Sequence, residues 1–380
     1  MRLHFLDSGR ALASFLGLVY HSALIFVNVD WLVNAPETHT APALRVYTDY
    51  INLFRMPLFM FISGYFAAYA VRKYNLKNFT VRRLTRLGIP FVTTLLTFSF
   101  IEKIYTYKYW GGDISFLPNT VIPWSRYFQM SHLWFLHYAL VFSFVLYFGL
   151  MLKKRFPLKL FDRFRLGGKY TDVLFLAGIF GIFGFCGMLF LVTRFDHQLV
   201  SFLTFGSYFP YFMLGALAFL RREELHGKFF ELSRKRFVVL FILLIISYML
   251  EARFKGIVPN TNTLLETLPR YFSLILVLGL LYRFLNKPNR MLTYMSESSY
   301  TVYLLHQPLI VMVGYYYVQH FVLPSPLLGY LLVLAVSTML TYALDYLLVR
   351  SNRWGKFLFT GALPVKRKAG VAVQQSAVSN

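Results

Sequence analysis

The chain has 380 residues, 57% of them hydrophobic and 14% charged, which is too apolar for a water-soluble domain with one buried core. A net charge of +23 would suit nucleic acid, but 30 of the 39 Lys and Arg lie at the N-terminus, in alternate connections and in the tail, a distribution that signals membrane topology and decides against nucleic acid. The lone cysteine, Cys186, leaves no disulfide framework and no thiolate metal site, and the histidines lack ligand spacing, so no metal is expected.

Windows of about 17 to 25 apolar residues predict about ten spans. They cover roughly 10–29, 51–71, 87–106, 133–152, 172–192, 202–220, 237–252, 270–286, 299–318 and 326–349. The fold class is therefore all-α: a polytopic integral membrane helix bundle over 1–360, followed by a short polar tail, 361–380, expected to be disordered. Basic connections near 72–86, 153–169, 221–236 and 283–290 place both termini in the cytoplasm. The first span is not a cleaved signal peptide, since it carries Arg10, His21 and Asn28 and no cleavage site follows.

In that first span Asp7, Ser14, His21 and Asn28 recur every seventh residue, so one helix face stays polar. The eleven steps from Arg10 to His21 turn a helix by about 1100°, roughly three turns, which puts both on that face with His21 roughly 16 Å further along. That depth is near the middle of a hydrocarbon layer about 30 Å thick, where an ionisable ring is costly and marks a functional site, unless it is bonded as packing glue. Ser14 and Gly17 are small and leave room beside it.

The second span opens with Phe54-Arg55-Met56-Pro57, and Arg55 lies about one turn inside its boundary. Its side chain either snorkels to water or turns inward. Next, Arg82, Arg83 and Arg86 stand three and four residues apart on a predicted helix, where their guanidinium groups converge and suit phosphate; the alternative is a plain topological signal. A long loop over about 107–131 is rich in aromatic and turn residues, with Pro118, Pro123 and Trp124, and leads into Ser131-His132-Leu133-Trp134. A flat aromatic ring beside a histidine donor holds a sugar well, although an interfacial aromatic belt has the same composition.

Glycines at 178, 181, 184 and 187 in the fifth span suggest close helix packing. In the ninth span Tyr303 and His306 share a face, and Pro308 frees a backbone carbonyl that His306 is placed to satisfy. Asp345, near the end of the tenth span, is expected to pair with a basic neighbour.

Taken together, several of these segments resemble acyltransferase family 3, and within it the branch of periplasmic-glucan succinyltransferases. The likeness rests on Phe5-Leu6-Asp7-Ser8 with Arg10 and His21, on Phe54-Arg55-Met56 with Ile62-Ser63-Gly64-Tyr65-Phe66, and on Arg83 and Arg86 before Gly88-Ile89-Pro90. Ser131-His132-Leu133-Trp134-Phe135-Leu136 and Tyr300-Thr301-Val302-Tyr303-Leu304-Leu305-His306 complete it. The resemblance implies a multi-pass enzyme of the bacterial inner membrane that moves an acyl group, succinyl or acetyl, from cytoplasmic acyl-CoA to a hydroxyl of a periplasmic glucan or another envelope carbohydrate. Acyl-CoA is then a substrate, with no permanently bound cofactor and no nucleic acid partner.

The resemblance also implies that His21 is catalytic and that Arg10 and Arg86 serve the donor. Arg82, Arg83, Ser14 and Gly17 join the donor side on the physical grounds above, and Arg55, His132, Trp134 and His306 are assigned to the acyl or acceptor side. An imidazole that titrates near neutrality either removes the hydroxyl proton or carries the acyl group itself. The rival from another class is a transporter or flippase, whose sign would be an internal repeat with broken helices; none is found.

Overall fold

A computed structural model describes residues 3–111, 130–155, 171–193, 196–197, 200–254 and 265–362. Pro118, Pro123 and Trp124 of the long loop, most of the basic connection after Arg155, and the tail from residue 363 lie outside the described residues.

The described residues are helical nearly throughout. The first helices are α1 (His4–Leu24), α2 (Ala43–Lys73), α3 (Leu76–Arg83), α4 (Ile89–Leu96) and α5 (Phe98–Tyr109). Then come α6 (Trp134–Arg155), α7 (Thr171–Thr193), α8 (Phe202–Leu220), α9 (Arg222–Phe229) and α10 (Arg234–Phe254). The last are α11 (Thr267–Phe284), α12 (Arg290–His320), α13 (Pro326–Leu344) and α14 (Arg353–Thr360). Asparagine side chains start several of them: Asn75, Asn289 and Asn352 accept from backbone N–H groups of the first turn. A two-residue antiparallel pairing, Asp196–His197 with Val200–Ser201, precedes α8.

Among the described residues, seven helical stretches are long and apolar enough to cross a membrane, in keeping with the all-α polytopic reading. The other three stretches counted as spans in the sequence, α1, α7 and α12, are helical as well. Polar residues make α1 and α12 less apolar, and these two pack on each other around the site. The third span is interrupted: a π-turn over Leu84–Gly88 precedes α4, and the chain bends at Thr97 before α5.

The most extensive helix contact is between α2 and α8. It is made by reciprocal glycines, since a Cβ on Gly64 would strike the Phe212 carbonyl and one on Gly215 would strike the Phe61 carbonyl. The glycines of the fifth span behave differently from expectation. Gly178, Gly181, Gly184 and Gly187 have no described residue within 4 Å of where a Cβ would stand, and α7 packs instead through Phe175, Ile179, Phe183 and Cys186. The close approach belongs to Gly206 of α8, whose missing side chain makes room for Cys186.

Asp345 pairs as expected: Arg350 Nε donates to its carboxylate at 2.9 Å, and Ser298 Oγ at 2.8 Å. Asp345 is buried and Arg350 exposed, both on the π-turn that follows α13, and Ser298, which donates to Asp345 and accepts from Arg350 Nη2 at 2.7 Å, joins that turn to α12.

Candidate active site

A cavity of about 670 Å³ opens among α1, α2, α6, α8 and α12. On α1 the polar stripe faces it, so Ser14, Gly17 and His21 lie in the wall together with Tyr20. Arg55 and Asn52 come from α2, His132 from the 3-10 turn Ser131–Leu133, Trp134 from the start of α6, Tyr208 from α8, and Tyr303 and His306 from α12. The acyl and acceptor residues expected from sequence, Arg55, His132, Trp134 and His306, are therefore gathered around His21.

Arg55 turns inward and does not snorkel. It is 7% exposed, and its guanidinium carbon lies 4.5 Å from the centre of the Tyr20 ring. Its Nε has no hydrogen-bond partner, and no hydrogen bond or ion pair ties the side chain to another described residue. A buried cation normally has an anion or several acceptors around it. Here the guanidinium faces the cavity.

His306 lies beside it. Its Nδ1 is 2.7 Å from the Tyr303 carbonyl oxygen and 3.0 Å from that of Val302, both acceptors, which fixes the N–H on Nδ1. Nε2 is left buried and without a partner among the described residues. The carbonyl that Pro308 frees, on Leu304, is not taken by His306 as the sequence suggested; His132 Nε2 occupies it at 3.1 Å. The His306 ring centre is 5.1 Å from that of His21 and 5.5 Å from that of His132, so three imidazoles stand in a row. His21 also stacks on Trp31 at 5.8 Å, and its buried Nδ1 has no partner among the described residues.

Gly17 has a different role from the one assigned to it. A Cβ there would sit 3.1 Å from Arg55 Nη1 and 3.3 Å from His306 Nε2, so the space it leaves is filled by those two side chains and not held open for a donor. Ser14 bonds its own helix, donating to the Ala11 carbonyl at 2.9 Å.

The basic residues expected to serve the donor lie apart from the cavity. Arg10 donates to Ser296 Oγ at 2.8 Å and approaches Asp7 at 3.6 Å, an arrangement at the opposite end of α1 from His21. Arg82 lies over the Tyr74 ring, and Arg83 lies over Phe79 and donates to the Phe66 carbonyl at 3.3 Å. Arg86 lies within the π-turn that begins at Leu84, which changes the helical phase after Arg83, and its carbonyl accepts from Tyr300 Oη at 2.8 Å.

Sequence reasoning missed Glu102, a fully buried carboxylate on α5 that bonds Ser131 and Gln307 of the cavity wall. A carboxylate inside an apolar span was the available signal. Asn52, Tyr20 and Tyr208 were also missed, and have no such signal because each is ordinary in a membrane helix.

A model of the family described as an acyltransferase domain matches residues 3–346. The glucans biosynthesis protein C of Salmonella typhimurium (strain LT2) is 29% identical over 389 residues, covering 98% of each chain. That of Escherichia coli O139:H28 is 29% identical over 384 residues, covering 97% of this chain and 96% of its own. No solved structure matches the chain.

Proposed function

The chain belongs to the acyltransferase family whose domain it carries over residues 3–346, and on that premise we propose that it moves a succinyl group from succinyl-CoA to a hydroxyl of a periplasmic glucan. The glucan acceptor is supported by the name shared by its relatives, glucans biosynthesis protein C. One observation carries the succinyl donor: Arg55, buried and without an anionic partner among the described residues, faces a cavity that also holds His21 and His306. A distal carboxylate on the acyl group supplies the missing anion, and a guanidinium meets it with two parallel hydrogen bonds.

In this mechanism the acceptor hydroxyl lies against the Trp134 and Tyr208 rings, 4.8 Å apart, which offer an apolar face to a sugar. His21 takes the hydroxyl proton, and the oxygen attacks the thioester carbonyl. The carbon–sulfur bond then breaks, and the thiolate leaves with the proton that His21 received. Arg10, Arg82, Arg83 and Arg86 meet the CoA phosphates on the cytoplasmic side, roughly 16 Å along α1 from His21, with small Ser14 on the way. Charge by the positive-inside rule puts these arginines at that face and the α2 start at the periplasmic face of the inner membrane.

The test is thiol release. Purified protein given succinyl-CoA should free CoA thiol only when glucan is added, in proportion to the succinyl ester formed. Transport without chemistry would release none and would overturn the proposal.

A further inference from the structure

Arg86 is carried on backbone that departs from the α-helix for a reason present in the sequence. Pro90 has no N–H, and its ring crowds the carbonyl four residues earlier, which is that of Arg86. The chain answers with the π-turn over Leu84–Gly88, in which the Ile89 N–H bonds the Leu84 carbonyl five residues back. The Arg86 carbonyl, cut off from its usual helical partner, is taken by a side chain from a distant helix: Tyr300 Oη of α12 donates to it at 2.8 Å.

A second hold on this turn comes from the last helix. Gly361, which ends α14 with φ at 59°, lies so close that a Cβ on it would strike the Thr85 carbonyl and crowd Arg86 Cα. Phe359, 6% exposed, packs on Phe98 of α5 at 5.8 Å and keeps α14 in place. Nearer its start, α14 lies against the other π-turn, Asp345–Arg350, where a Cβ on Gly355 would strike the Leu348 carbonyl. α12 reaches that second turn too, through Ser298, two residues before Tyr300. α12 and α14 thus each bridge the two π-turns. The Arg86 side chain is left outside this frame: Arg10 is bonded to Ser296 and Arg83 to the Phe66 carbonyl, while Arg86 is exposed and makes no hydrogen bond or ion pair with another described residue.

We infer that Tyr300 is a positioning residue for the donor: its hydroxyl, with Gly361 pressed on the same turn, holds the π-turn in the arrangement that presents Arg86 to a CoA phosphate. A guanidinium meets phosphate oxygens with parallel bonds only from a set direction. One residue gained or lost in a turn shifts helical phase by about 100°, so relaxation of the π-turn would swing Arg86 away from that direction. Tyr300 and Gly361 do not line the cavity that holds His21, so their effect falls on donor binding and not on the chemical step. The link to CoA rests on the proposed acyl transfer; the hold on the turn does not.

The test is a double-mutant cycle read by CoA binding to purified protein in detergent, with KM and kcat measured alongside. Tyr300→Phe removes only the hydroxyl. It should raise Kd for CoA and KM for succinyl-CoA roughly fivefold, the loss of one hydrogen bond, with kcat and KM for glucan changing less than about twofold. In an Arg86→Ala background the same substitution should cost nothing further, because Tyr300 acts through Arg86. A loss that persists in that background makes Tyr300 a general part of the scaffold and overturns the inference, as does an unchanged Kd in Tyr300→Phe. If Tyr300→Phe does not fold, Pro90→Ala tests the same turn: it restores an N–H for the Arg86 carbonyl and should weaken CoA binding likewise, and an unchanged Kd there counts equally against it. Wild-type protein that binds CoA but transfers nothing sinks the proposed function, while the cycle still decides the role of Tyr300. Wild-type protein that binds no CoA overturns both.

Discussion

His21→Ala should abolish measurable acyl transfer and leave the protein folded. The ring lies in the cavity wall, 5.1 Å from His306 and near the unpaired guanidinium of Arg55, and its buried Nδ1 has no partner in the resting protein. No hydrogen bond to a described residue is therefore lost with it, and the structural cost lies in its ring contacts with Trp31, Tyr20 and His306, about 0.5–1.5 kcal/mol each. Loss of a positioned general base costs about 10²–10⁴ in rate. The check is succinyl ester on glucan per mole of protein, alongside the elution profile in detergent. A fall of that size with an unchanged profile is expected; near-normal ester content would remove His21 from the chemical step.

Arg55→Gln should separate donors. If Arg55 pairs with the distal carboxylate of a succinyl group, the variant leaves that carboxylate buried and unpaired, a loss of about 3–5 kcal/mol for a broken buried pair. Succinyl transfer should then fall in kcat/KM by on the order of 10²-fold or more. An acetyl group has no carboxylate, so any acetyl transfer should change by less than about tenfold. The comparison requires both CoA donors at matched glucan concentration. Equal losses would remove donor selection from Arg55 and return it to the acceptor or to the scaffold. Gly17 bears on the same point: a side chain there would crowd Arg55 Nη1 and His306 Nε2 together.

Much of the site was legible because its residues obey local rules. The seven-residue recurrence of Asp7, Ser14, His21 and Asn28 marks a polar face within one helix, and Arg55 is conspicuous as a cation inside an apolar run. The parts that escaped depend on contacts between distant segments. Glu102 takes its meaning from Ser131, 29 residues on, and Gln307, 205 residues on, and no spacing announces such a pairing. Pro308 correctly signals a free carbonyl, but which histidine fills it follows from how α6 sits against α12, and His132 wins over the nearer His306. The arginine spacing is altered for a local reason: the backbone over Leu84–Gly88 is a π-turn, which a regular helical count from Arg82 to Arg86 does not anticipate. Glycine periodicity in α7 misled because small residues also occur where no described residue packs against them.

The central claim is that one bundle joins a donor on one side of the membrane to an acceptor on the other, and sealed proteoliposomes test it most directly. Labelled succinyl-CoA is supplied to the face that carries Arg10 and Arg86, and glucan only to the opposite face, with orientation established by protease cleavage. The account predicts labelled succinyl ester on the glucan and one CoA thiol released per ester, with little transfer when donor and acceptor are exchanged between faces. Label appearing on glucan only when both substrates share one face would contradict it.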